Sequence, residues 1–206
     1  MKTTLIIALM AISTTLFAQS ITIYGKAVKG DGSRLKGTST MKRYEDQLII
    51  TNYTGGSDHT ATIEIEVPTA AYVADFRNMM TTATQPKPSI AAKPIIKNIA
   101  NPGSAPIAAA TGKITTQSLQ TFPLSRLDIS VTSRVGNNLP VVSRQVILEN
   151  LIVESCTDIP ASNTTKIKLK AIRIGWIYYS TDAKGNTTVT GKSGWDTAVG
   201  AAWTSF

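Results

Sequence analysis

"KIKLKAIRIGWIYYSTDAKGNTTVTGKSGWD", residues 166–196, decides how the chain is read. Lys166, Lys168 and Lys170 fall at a spacing of two, which puts them on one face of a strand with Ile167 and Leu169 on the other. Near Ala171 the phase changes, and Ile172, Ile174 and Trp176 take the positions that continue the lysine row. A β-bulge at that point would account for the slip. "TDAKGNTT" reads as a hairpin turn with Gly185-Asn186 at its tip, and "VTGKSGWD" as the returning strand.

The same alternation extends outward in both directions. "ATIEIEV" sets Ala61, Ile63, Ile65 and Val67 against Thr62, Glu64 and Glu66, the pattern of a half-buried antiparallel strand. In that pattern the two glutamates belong to a solvated face rather than to an acid–base pair. "RLDISVTSR" sets Leu127, Ile129 and Val131 against Asp128, Ser130 and Thr132. "VVSRQVILENLIVES" is apolar on both faces at Val146–Leu148 and Leu151–Val153, which predicts a strand covered on both sides. "ITIYGKAVKGDGSRLKG" and "EDQLIITNY" add two strands near the start. "TAAYVADFRNMM" spaces Val73, Phe76 and Met80 for one short amphipathic helix. These segments predict an all-β sandwich or barrel of about seven to nine strands with a minor helical element.

The first residues are of another kind. In "MKTTLIIALMAISTTLFAQS", Lys2 precedes an apolar run from Leu5 to Phe17, and Ala18 is a small residue at the point of cleavage. Residues 1–18 therefore read as a signal peptide cut between Ala18 and Gln19. A membrane anchor is the alternative, but the apolar run is shorter than the roughly 20 residues a spanning helix needs. The remainder, 19–206, suits one domain and is free of membrane spans. Between 68 and 112 the chain turns rich in alanine and proline, with prolines at 86, 88, 94, 102 and 106. Such a density excludes a long helix or central strand and reads as an extended insertion, with room for one short strand around Ile95–Ile99.

The formal charge is +8 and raises the question of nucleic acid or membrane partners. Lys and Arg are scattered singly, and the one dense row, Lys166–Lys170, has no interleaved aromatics to stack bases. The row reads as a solvated face or a guarded strand edge. Cys156 is the sole cysteine, so no intrachain disulfide forms; it reads as a strand-end thiol, with a nucleophile or intermolecular bridge as alternatives. His59 is the sole histidine and sits in a turn beside Asp58; adjacent residues of an extended chain point apart, and no G-x-S-x-G elbow accompanies them. Asp31, Asp58 and Asp182 lie in glycine-flanked turns without the spacing of a calcium loop. No metal, cofactor or catalytic site is expected.

Several of these segments, in order, resemble the haemolysin-coregulated protein (Hcp) family, the tube protein of type VI secretion. "LDISVTSR" is similar to the strand after that family's helix, and "VVSRQVILENLIVESC", with Asn150 inside "LENLIV", to its signature strand. "IRIGWIYYSTDAKGN" resembles the strand carrying Trp176 and Tyr178 and the turn with Gly185, and "SGWD" the ending Gly194-Trp195-Asp196. The opening "ITIYGKAVKGDGSRLKG" matches less specifically, and residues 93–113 match poorly. The resemblance implies an antiparallel β-barrel of two packed sheets with one helix. In it Trp176 fills the interior, Trp195 closes the hairpin, and Asp196 caps a turn or accepts a backbone hydrogen bond. It also implies a non-catalytic protein that assembles with itself into hexameric rings, with secretion-apparatus or effector proteins as further partners. The leader implies a periplasmic or secreted location, whereas the family's tube proteins usually leave the cytoplasm without a signal peptide. The alternative is an exported monomeric binding module for a carbohydrate, surface or protein ligand, with Tyr72, Phe76, Tyr178, Tyr179 and Trp203 as candidate contacts.

Overall fold

The computed structural model describes residues 19–56, 59–83, 122–135, 138–182 and 185–206. The leader, the proline-rich stretch 84–112 with its expected strand at Ile95–Ile99, and the turn residues 136–137 lie outside the described residues. The chain order is β1 (Gln19–Lys29), β2 (Arg34–Leu35), β3 (Leu48–Ile50), β4 (Asn52–Gly55), β5 (Thr62–Pro68), α1 (Tyr72–Ala83), β6 (Leu124–Val135), β7 (Val141–Ile159), β8 (Thr164–Thr181), β9 (Thr187–Asp196) and β10 (Ala201–Ala202).

All pairings are antiparallel, and the strands form one ten-stranded sheet in the order β10-β9-β8-β7-β6-β1-β2. This overturns the expected barrel of two packed sheets. "EDQLIITNY" is two strands, not one: β3 pairs with β1, β4 pairs with β5, and β5 pairs with β8. The chain bends at Thr51 between them, so the ladder is interrupted there and the sheet is not closed into a barrel.

One core gathers the inward side chains. Ala61, Ile63, Ile65 and Val67 on and beside β5 are fully buried, as their alternation requires. They meet Leu127 and Ile129 of β6, Leu148, Leu151 and Val153 of β7, and Ile167 and Leu169 of β8 in one cluster. Each such side chain contributes about 1.5–3 kcal/mol when fully withdrawn from water. Helix α1 packs on β7 and buries Val73, Phe76 and Met79, with Met80 half-buried against the core. Two ion pairs hold it, Lys29 to Asp75 at 2.9 Å and Arg77 to Asp158 at 2.6 Å.

Between Val131 and Thr132 the ladder skips Ser143, so the extra residue lies in β7, while β6 keeps unbroken register with β1 there. Ser130 and Thr132, expected on the polar face, are both buried, and the Thr132 hydroxyl donates to the Thr22 carbonyl at 2.8 Å. The phase change near Ala171 also has a cause other than a bulge in β8. Register with β7 is unbroken from Leu148↔Ile174 to Leu151↔Ala171, and the irregularity between these strands lies at Val153/Ser155. Both strands change phase together. Asn150, in β7, adopts φ 56°, in the left-handed region, and inward burial passes from Val146 and Leu148 to Leu151 and Val153. On β8 it passes from Ala171 to Ile174. At the same place β8 hands over its second partner: residues 164–170 pair with β5 and residues 173–181 with β9.

Asparagine tolerates the left-handed region better than other non-glycine residues, and a β-branched side chain does not. Asn150→Val is expected to lower stability by about 1–2 kcal/mol, whereas Asn150→Gly stays within about 1 kcal/mol of the parent. Urea unfolding midpoints at constant slope measure the difference; equal stability of the valine variant would contradict the assignment.

Candidate functional site

Two sites are built around the expected motif residues, one on each face of β8. On the outer face, Gly175 pairs with Gly194 of β9 and with Ile147 of β7. A Cβ on Gly194 would stand 2.5 Å from the Trp203 carbonyl oxygen and 2.6 Å from Cε1 of Phe206, and one on Gly175 would meet the Phe206 ring at 2.8 Å. The two glycines therefore make a trough that the C-terminal segment fills, pinned by the Trp203 N–H donating to the Gly194 carbonyl at 2.9 Å. Trp203 and Phe206 lie with ring centroids 4.6 Å apart. Ile147, on this face of β7, is buried, so β7 is covered on both sides where its sequence is apolar on both sides.

Asp196 ends β9 and is nearly buried. Its carboxylate accepts from Arg173 Nε at 2.7 Å and from the Ala198 N–H at 2.9 Å, while its carbonyl accepts from the Gly200 N–H at 3.0 Å. The Arg173 hydrogen bond, aided by the Ala198 and Val199 backbone N–H groups, holds the Asp196 carboxyl below the usual carboxylate range. Arg173 also pairs with Glu149 at 3.6 Å and lies 5.8 Å from the Trp203 ring centroid. Trp195 is half-buried against the core, its ring 4.3 Å from that of His59.

On the inner face, β8 meets β4 and β7 at a cleft of about 510 Å³. Trp176 lines it, half-buried, and its indole N–H donates to the Gly56 carbonyl. It packs on the core yet borders open space instead of filling a barrel interior. Tyr178 stands at the same cleft, 45% exposed. Arg144 and Tyr53, which the motif reading passed over, complete it: the Arg144 guanidinium donates to the Tyr53 hydroxyl and lies 5.6 Å from its ring centroid. The signal for Arg144 was present in the alternation, since it precedes inward Val146 and Leu148 at a spacing of two. Tyr53 carried no such signal, because the break at Thr51 resets the phase.

The other expected positions lie apart from both sites. Gly185 takes φ 85° in the β8–β9 turn, where the Asp182 carboxylate accepts from Asn186 N–H at 2.8 Å. The lysine row faces carboxylates: Lys166 meets Glu64 at 3.3 Å and Lys168 meets Glu154 at 3.0 Å. Cys156 is half-buried, and burial pushes its thiol pKa up, away from a reactive thiolate. Among the described residues no group of three or more His, Cys, Asp or Glu is placed to hold a metal ion, and no helix is long and apolar enough to cross a membrane. Ala18 lies outside the described residues, and Gln19 is the first residue of β1.

Two predictions follow from the outer face. Gly194→Ala places its methyl against backbone and ring, so it is expected to cost about 1–3 kcal/mol and to release the C-terminal segment, read as increased protease cutting after Asp196. Asp196, whose folded pKa is depressed, contributes stability that is present above its unfolded pKa and lost as pH falls through the lower folded value. The parent is therefore expected to lose Tm, as pH falls through and below the ordinary carboxylate range, more steeply than Asp196→Asn; parallel curves would contradict this.

No family model matches the sequence, and no curated protein matches it. Solved structures do. Hcp1 from Salmonella typhimurium is 10% identical and matches over 89% of this chain and 99% of its own, with a TM-score of 0.56. A type six secretion system protein is 10% identical over 89% of this chain and 100% of its own, with a TM-score of 0.57. The secreted protein Hcp3 from Pseudomonas aeruginosa is 9% identical over 84% and 98%, with a TM-score of 0.50. At such identities what is shared is the arrangement of one long-stranded sheet and one helix, and the chain has an Hcp-like fold.

Proposed function

We propose that this chain is a non-catalytic structural protein that assembles with copies of itself into six-membered rings after export. The observation that carries the reading is the match of its fold to almost the whole length of Hcp1. The aromatics that a binding module would display are mostly packed away. Tyr72, Phe76 and Trp203 are buried and Tyr179 is half-buried, which leaves Tyr178 alone among the five as an exposed ring. That burial supports a structural role over a surface-exposed aromatic strip.

Assembly needs open strand edges or complementary surfaces. β10 pairs with β9 only at Trp195 and Asp196, so Thr187–Ser193 presents an edge whose residues are mostly exposed. A contact from this edge to a different surface of the next copy is heterologous and closes into a ring when the rotation permits. Asn150, Trp176, Tyr178, Gly185, Gly194, Trp195 and Asp196 serve the fold that presents these surfaces. The export step rests on the leader alone: Lys2, the apolar run Leu5 to Phe17 and the small Ala18 fit a signal peptide cut before Gln19. Residues 19–206 then form one domain carrying the 68–112 insertion, in the periplasm or outside the cell, with secretion-apparatus or effector proteins as further partners.

Light-scattering mass after size exclusion of residues 19–206, with negative-stain images of the same peak, tests the proposal. A mass of six subunits with annular particles is expected. A monomer at high concentration would contradict self-assembly and turn the reading to the exported binding module.

A further inference from the structure

The inner cleft has features that assembly does not require. Its volume of about 510 Å³ lies in the range of about 300–1,000 Å³ typical of small-molecule sites. Among its described lining residues there is no carboxylate, and Arg144 supplies the positive charge. Arg77, Arg126 and Arg173 each face an aspartate or glutamate, whereas Arg144, among the described residues, bonds a tyrosine hydroxyl. That hydroxyl stays neutral at neutral pH, since burial raises the Tyr53 pKa. A guanidinium has five N–H donors, and the Tyr53 bond occupies part of that set. The remaining fork suits a planar two-oxygen anion.

The rest of the lining suits a ring. Tyr53, Trp176 and Tyr178 border the space, and the Trp176 indole is held by its bond to the Gly56 carbonyl, so the platform is fixed before anything binds. Ser193 adds a hydroxyl. A bare inorganic anion would use the arginine and leave most of the volume empty.

We propose that this cleft binds a small ring-bearing carboxylate, with Arg144 holding the carboxylate and Tyr53, Trp176 and Tyr178 packing on the ring. An aryl acid and an acidic sugar share this chemistry, and two probes tell them apart. Ligand-observed saturation-transfer NMR on the mature chain would compare sodium benzoate with benzamide, and sodium D-glucuronate with D-glucose. Saturable transfer to one carboxylate is expected, at least about tenfold tighter than to its neutral counterpart, in line with a charge-assisted hydrogen bond. The carboxylate that binds identifies the ring as aryl or sugar. Arg144→Gln keeps a donor for Tyr53 and is expected to weaken binding roughly tenfold at unchanged Tm. Tyr178→Ala, at the exposed rim, is expected to weaken it without affecting Tm. Absence of transfer to both carboxylates, neutral rings binding as well as charged ones, or full binding by a folded Arg144→Gln variant would each overturn the proposal. Oligomeric mass is a separate readout, so the cleft and the ring stand or fall independently.

Discussion

The structure depends on what happens to β8 at Ala171–Arg173. One continuous strand of eighteen residues has β7 along one side and two successive partners along the other. Backbone N–H and C=O groups there cannot be left without partners in a folded interior. The Ala171 N–H donates to the Ala61 carbonyl, and the Ile172 carbonyl accepts from both the N–H and the hydroxyl of Thr197. Asn150, opposite this point, turns through the left-handed region so that both strands change phase and keep register. Without that paired change, Ile174 and Trp176 would face outward and the β9 hairpin would sit on the wrong face. The inner cleft and the outer trough are consequences of it.

Much of this was legible in the residues, because strand alternation is a local property. The β5 pattern, the doubly apolar centre of β7 and the helix at Val73 and Phe76 all correspond to buried faces. Closure was not legible. Whether "EDQLIITNY" runs straight or bends at Thr51 depends on what lies on either side of it, and that bend separates an open sheet from a barrel. The phase change at Ala171 was visible, but its origin lay in Asn150 of another strand. A single sequence read strand by strand assigns such a change to the strand that displays it. Arg144 was passed over although the alternation placed it inward, because a charged residue at that position reads as the end of an apolar face.

Fold and sequence have separated widely here. At about 10% identity, few positions are shared with the Hcp structures. What persists is the set of constraints that each position answers to. Gly175 and Gly194 leave room for the C-terminal rings; Asp196 satisfies Arg173 and the turn after it; Trp176 finds a partner for its N–H. Other side chains could meet these needs. The likeness therefore speaks to the fold alone.

Self-assembly through the free edge of β9 is the central functional claim, and amide hydrogen exchange measured against concentration tests it most directly. Outward-facing amides between Thr187 and Ser193 have no strand partner among the described residues. The account predicts that they exchange fast in dilute solution and become protected as the oligomer forms, while amides of the β7–β8 ladder stay slow throughout. Fast exchange along that edge within an established ring would contradict it, and would place the interface elsewhere on the molecule.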